Sequence, residues 1–460
     1  MNFSQNYNDL LQHMNYNHDE KKVKHNNFKS SPLIPFQTRH PERVKFDNGF
    51  NSIIGEFTRI ELNKAWIDDF DVNQIISNII NSNTVNIDDS DKHLEILLKQ
   101  YLFNDNDELN ILNPFLFLYI PLSDNRQAIG EKDIALFMRD VFCRDNENLV
   151  NFFKKKHSNH AIVNLILSNI RELDDKITPV KYTPILDNIV DLFNEDINYA
   201  INHENFLIND MSNIFSYYYF FYVSQIILKL NKDYNESINE IEPLFYLLDW
   251  ESVSKNRKTV NGYGWDLLKN RGNRLAAKIS VVDQLNILFG TDDYSLLGDI
   301  YDEFDQLSPD EQEEFLIYLK KWVYDYRIAR GFGDIPLPDD FKELTQILYE
   351  SLNDEKGIGA EIRTSRYPLN LEEVTKSFFA KGRGKYGFVL NISRDMLLSI
   401  TTLCVKDKKI KLKRLFEEYE KRGLYFDSYS QDEIESFLTK LNLIDKKSDG
   451  GDAKYVKPIL

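Results

Sequence analysis

In the stretch AKGRGKYGFVL, residues 380–390, Gly382, Gly384 and Gly387 stand at the spacing G-x-G-x-x-G, with Arg383 and Lys385 between them. In a dinucleotide-binding fold such glycines follow a strand and open a helix whose free N–H groups meet a pyrophosphate. Here the order is reversed. Upstream, NLEEVTKSFFA has Asn370 and Glu373 at capping-box spacing and Leu371, Val374 and Phe378 on one face, so a helix leads into the glycines, while GFVLNI downstream is β-prone. Gly382 therefore reads as the left-handed cap of that helix, followed by a flexible turn. Capping leaves Arg383 and Lys385 unused, as candidates for a phosphate backbone or as solvated charges. The chain holds no Walker A sequence and no acidic residue in the ribose-binding position, so no cofactor is expected.

Other residue sets that could do chemistry have a plainer reading. In KKKHSNH, His157 and His160 lie one helical turn apart, yet they read as a solvated polar turn before AIVNLIL. In PDDFKELTQIL, Asp339, Asp340 and Glu343 with Lys342 come nearest to the acid-and-lysine pattern of a metal-dependent nuclease, but acids at this position also suit the start of a helix, where they favour the dipole. There is no G-x-S-x-G, H-E-x-x-H or EF-hand loop. No catalytic residue and no metal ligand is expected.

The elements that would position these residues are helical. The chain has 460 residues, 42% hydrophobic, with 31 Phe and 25 Tyr against 18 Gly and 13 Pro, which favours long packed elements over loops. Cys143 and Cys404 are too few for a disulfide framework and no signal-peptide pattern opens the chain, so a cytoplasmic protein is expected. The most apolar run, residues 214–230, is interrupted by Ser216, Ser224, Gln225 and Lys229 and reads as a buried helix; no membrane partner is expected.

Five stretches follow from patterning: a polar, mobile N-terminal arm (1–50), a helical domain (51–250), a second helical region (251–354), a linker (355–370) and a C-terminal domain (371–460). In the second region Ser308 and Glu311 make a capping box with Pro309 at the first helical position and Gly331 after the last turn, around the stripe Phe315, Leu316, Leu319, Trp322, Val323 and Tyr326.

The net charge is -17, unevenly spread: residues 381–460 hold 17 Lys+Arg against 12 Asp+Glu, and residues 1–380 hold 39 against 61. An acidic body repels a phosphate backbone, so any DNA contact falls to the tail. The tail offers one helix after Ser393, a second over 411–422 with Gly423 as its stop, and a third from Ser430 that buries Ile434, Phe437, Leu438 and Leu441. Two β-prone runs then surround Asp449, Gly450 and Gly451, a hairpin signal. The expected fold is mainly α, a multi-helical acidic body with a C-terminal winged-helix-like domain of three helices plus a hairpin wing. A DNA-reading winged helix lays its third helix in the major groove and its wing along the backbone. The candidate nucleic-acid contacts are thus Arg383, Lys385, Thr439, Lys440, Lys446, Lys447 and Lys454. The third helix also presents Glu435, so docking to protein stays open beside docking to DNA.

Taken together, GRGKYGFVLNISRDMLL, LFEEYEKRGLYFD and LTKLNLIDKKSDGGDAKYVKPIL resemble the DptG family, the middle subunit of a bacterial DNA phosphorothioation-dependent restriction system. The resemblance implies antiphage defence alongside partner ATPase subunits, restricting DNA that lacks sulfur in place of a backbone oxygen. It carries no assigned catalytic residues. The expected function is therefore a non-catalytic, DNA-contacting adaptor, with a metal-dependent nuclease subunit and a free-standing transcriptional regulator as alternatives.

Overall fold

Apolar residues recur every three to four positions along most of the sequence, and each such stripe is satisfied by a helix laid against others. The computed structural model is accordingly mainly helical, with six short strands among the described residues. It describes residues 2–24, 32–35, 43, 45–66, 72–81, 91–104, 109–123, 126–144, 146–231, 240–252, 257–291, 294–358, 367–446 and 454–460. Two units form, neither continuous in sequence and neither following the five successive stretches expected: residues 1–42, 220–392 and 420–431 make the first, residues 43–219, 393–419 and 432–460 the second.

In the first unit the start of the expected N-terminal arm is a packed helix, while residues 25–31, 36–42 and 44 of that arm lie outside the described residues. Phe3–His13 is a helix whose Asn2 side chain accepts the Gln5 N–H, and it buries Phe3, Tyr7, Leu10 and Leu11. The Phe3 ring meets those of Phe289 and Phe315 at 6.2 and 5.4 Å, and Tyr7 Oη donates to Asp325. Polar composition hid this helix because its apolar residues are only four, all on one face. The helix Pro309–Ala329 has the expected capping box at Ser308 and Glu311, and Gly331 beyond it takes φ +74°. It buries Phe315, Leu319, Trp322, Val323 and Tyr326, and Trp322 Nε1 donates to Gln284 Oε1 at 2.8 Å. Of the expected linker, residues 359–366 lie outside the described residues.

The glycine-rich stretch is a β-hairpin. The helix Tyr367–Val374 passes into a π-helical turn, Thr375–Phe379, and then directly into strand β2, Ala380–Gly382. Strand β1 is Leu247–Leu248 and β3 is Phe388–Ile392; the sheet order is β1-β3-β2, with β1 parallel and β2 antiparallel to β3. Gly382 pairs with Phe388 inside the ladder, so it does not cap a helix. The left-handed positions belong to Gly384 (φ +60°) and Gly387 (φ +70°), which turn the chain between the strands. The last residue before β2, Phe379, is buried with its ring stacked on Phe220, centroids 4.3 Å apart, a partner far away in sequence.

In the second unit the helices Asn51–Glu61 and Gln127–Phe142 accompany a cluster in which Ile75, Ile79, Leu98, Leu102, Leu118 and Ile166 are buried. Arg59 is buried, its Nη1 donating to the Leu118 and Ile120 carbonyl oxygens (2.8 and 2.7 Å) and its Nε to Glu56. The apolar run read as a buried helix lies, but for Leu230, within Glu204–Lys229, and among the described residues no helix is long and apolar enough to cross a membrane.

At the C-terminus Ser393 caps Arg394–Val405, accepting the Met396 N–H at 3.2 Å. The helix Leu412–Lys421 follows, then Ser428–Lys440. Strands β4 (Ile410–Lys411), β5 (Ile444–Lys446) and β6 (Lys454–Val456) form an antiparallel sheet in the order β4-β6-β5. Thr401 Oγ1 and Tyr419 Oη hydrogen-bond at 2.6 Å, joining the first two helices. Two local expectations change. The last helix begins before Ser430, whose N–H is accepted by Asp427 Oδ1 at 3.1 Å, and Leu441 is 44% exposed instead of buried. The turn residues Asp449, Gly450 and Gly451 lie outside the described residues.

Candidate nucleic-acid interface

Arg383 and Lys385 stand on the hairpin of the first unit and separate in role. The Arg383 guanidinium is directed inward: Nη1 donates to the Glu251 carbonyl oxygen at 3.0 Å, and Nη2 to the Leu248 carbonyl oxygen at 2.9 Å and to Asn391 Oδ1 at 3.0 Å. Lys381 reaches the same segment, with Nζ 2.6 Å from Asp249 Oδ1; this hydrogen bond holds the Asp249 carboxyl below its usual range. Arg383 therefore ties the hairpin to residues 248–251, and a guanidinium so engaged has little left for a phosphate. Lys385 is exposed, its ammonium 5.2 Å from the centre of the Tyr386 ring.

Residues 248–251 are braced from the other side as well. Arg257 Nη1 donates to Glu251 Oε1 at 3.1 Å, its Nε and Nη2 each to an Asp427 oxygen at 2.5 Å, and Nη2 to Ser430 Oγ at 2.7 Å. The Arg257 and Glu251 side chains are 4% and 2% exposed. Burial opposes charge on Arg257, but the Asp427 and Glu251 carboxylates outweigh it and hold the guanidinium more firmly protonated than usual.

The other candidates belong to the second unit. Thr439 is exposed, with Oγ1 donating to the Glu435 carbonyl oxygen at 2.7 Å, and Lys440 is exposed in the last turn of its helix. Lys454, on β6, pairs with Glu435 at 2.5 Å. The backbone of Lys446 lies opposite Lys454 in the β5–β6 ladder; Lys447 lies outside the described residues. Asp445 takes Lys457 at 3.6 Å and also Lys409, whose hydrogen bond holds the carboxyl below its usual range. The cations described on β5 and β6 and beside them are thus partly neutralised by carboxylates of the same unit.

A further set of cations lies between the first two C-terminal helices and at the start of the second. The run KDKKIKLKR, residues 406–414, packs six Lys or Arg and one Asp into nine positions of an acidic protein. Lys406 is paired with Glu195 and with Asp196 (3.5 Å), and Arg414 with Glu417 (3.0 Å) and Glu418 (2.6 Å). Lys408, Lys411 and Lys413 are exposed and form no hydrogen bond or ion pair among the described residues. They lie before, on and after β4, an edge strand, at the start of the helix Leu412–Lys421. Cations at a helix N-terminus oppose the macrodipole, typically costing about 0.3–1 kcal/mol each. Nothing described inside the protein offsets that cost for Lys411 or Lys413; an external anion would. The signal was legible as charge density, without any motif.

Neither catalytic candidate changes its plain reading. Asp340 accepts the Glu343 N–H at 2.8 Å and caps Phe341–Asn353, while Asp339 pairs with Lys320. His157 and His160 are exposed, and the His160 ring lies 5.6 Å from that of Tyr101. Among the described residues no group of three or more His, Cys, Asp or Glu could hold a metal ion. Compared with known proteins, the sequence matches no family model and no curated protein.

Proposed function

We propose that this chain is a DNA-contacting adaptor subunit of a bacterial restriction complex, and that its C-terminal helices and sheet act as a winged-helix-like module. Three helices with an antiparallel sheet in the order β4-β6-β5 support the winged-helix reading. The resemblance to the DptG family supports the restriction setting, in which partner ATPase subunits supply the energy and a cytoplasmic, phosphorothioation-dependent antiphage system is the context. The observation that carries DNA contact is the exposed trio Lys408, Lys411 and Lys413, unpaired among the described residues of a protein whose net charge is -17. A strip of this kind binds phosphates without reading sequence.

Duplex binding by the full-length chain over a salt series tests the reading, with Lys408, Lys411 and Lys413 changed together to Ala. Loss of affinity together with a flatter salt dependence supports it. Unchanged binding removes the strip from the function. The internal pairing of Lys454 with Glu435 favours a second reading, in which the wing docks a partner subunit. Capture of that subunit by a protein that ignores DNA would establish it instead.

A further inference from the structure

Within the second unit a cavity of ≈ 540 Å³ opens between the start of the helix Asn51–Glu61, residues 103–104 and 109–112, residues 117–121, and residues 208–212. Its volume falls in the range of small-molecule sites, about 300–1,000 Å³. In a chain that is 28% charged, its described lining contains no Asp, Glu, Lys, Arg or His. The polar groups are amides and hydroxyls. Ser52, 1% exposed, lines the cavity with a hydroxyl that bonds nothing described. Asn51, Asn209 and Ser212 also line the cavity with side chains that bond nothing described. No side chain caps the helix that begins at Asn51. Phe103, Phe117 and Tyr119 supply aromatic walls.

From this arrangement we propose that the cavity binds an uncharged nucleobase or nucleoside. A flat heterocycle suits aromatic walls, and a side-chain amide offers the adjacent donor and acceptor that match the edge of a base. The described lining holds no cation to neutralise a phosphate, so the free nucleoside should bind at least as well as its 5′-phosphate. Sugars alone would leave the aromatic walls unused. The site is independent of the lysine strip and stands or falls apart from it.

The test is calorimetric titration of the full-length protein with adenosine, guanosine, cytidine and thymidine, each beside its 5′-monophosphate, with ribose and glucose as controls. The expected result is one-to-one binding of at least one nucleoside with Kd below about 1 mM, no gain from the phosphate, and no binding of either sugar. Asn209 and Asn51 are exposed, so Asn209→Leu and Asn51→Leu should keep the unliganded melting temperature and weaken binding by roughly tenfold or more. Ser212→Trp, which fills the cavity, should abolish binding. The proposal is overturned if no nucleoside binds, if ribose or glucose binds as well as the nucleoside, if the monophosphate binds more tightly, or if binding survives Ser212→Trp in a folded protein.

Discussion

Arg383 Nη2 lies 2.9 Å from the Leu248 carbonyl oxygen, a contact across 135 residues of sequence that turns a residue expected to meet phosphate into a brace for the hairpin. Arg383→Ala should therefore lower stability by about 2 kcal/mol, because two carbonyl groups and one amide are deprived of a charged donor. Lys385→Ala, on the exposed turn, should leave stability unchanged. Urea denaturation of the two variants separates them; equal effects would refute the division of roles.

Gly387 combines φ +70° with ψ -148°, a region open almost only to glycine, so Gly387→Ala should cost roughly 1–3 kcal/mol. Gly382 lies in a strand, and a Cβ placed there comes no nearer than 3.9 Å to the Phe388 side chain. Gly382→Ala should be close to neutral. Were Gly382 a helix cap, the order of the two effects would reverse.

Arg257→Ala should be among the most damaging single substitutions in the first unit. It leaves the Glu251 carboxylate, 2% exposed, without its cation, and breaking a buried pair typically costs about 3–5 kcal/mol. Glu251→Gln combined with Arg257→Met should recover part of that loss. A double variant no better than Arg257→Ala alone would show that packing, and not the stranded charge, sets the cost.

The salt dependence of duplex affinity should flatten by roughly 0.9 log unit for each phosphate that is no longer neutralised as Lys408, Lys411 and Lys413 are changed to Ala. The same changes should leave stability equal or slightly higher, since they remove cations near a helix N-terminus. Fluorescence anisotropy across a salt series reads the first effect and thermal melting the second.

Burial raises the Asp283 carboxyl to about 7, against a hydrogen bond from Tyr294 Oη at 2.5 Å that favours the ionised form. A carboxyl whose folded pKa lies above its unfolded value holds its proton more tightly when folded. Its contribution to stability is full below about pH 4 and declines as pH rises towards about 7, by up to roughly 1.4 kcal/mol per pH unit. Melting between pH 5 and 8 should show a downward trend that Asp283→Asn reduces. An unaltered profile in that variant would place the titration elsewhere.

Local chemistry was enough to determine the helices whose ends and faces are set by neighbours in sequence. Ser308 with Glu311, Ser393, and Asp340 with Glu343 cap where their spacing says, and the mainly helical character follows from the apolar period. The acidic body and basic tail were equally legible, because charge is additive along a chain. Only the tertiary structure decided the rest, because it depended on partners far away in sequence. Phe379 stacks on Phe220, Gly382 pairs with Phe388 in a strand, and Leu248 and Glu251 claim the Arg383 guanidinium. Glu435 neutralises Lys454, while Lys408, Lys411 and Lys413 keep their charges exposed. A sequence states which side chains carry charge; which of those charges remain available is fixed by the groups that folding places beside them.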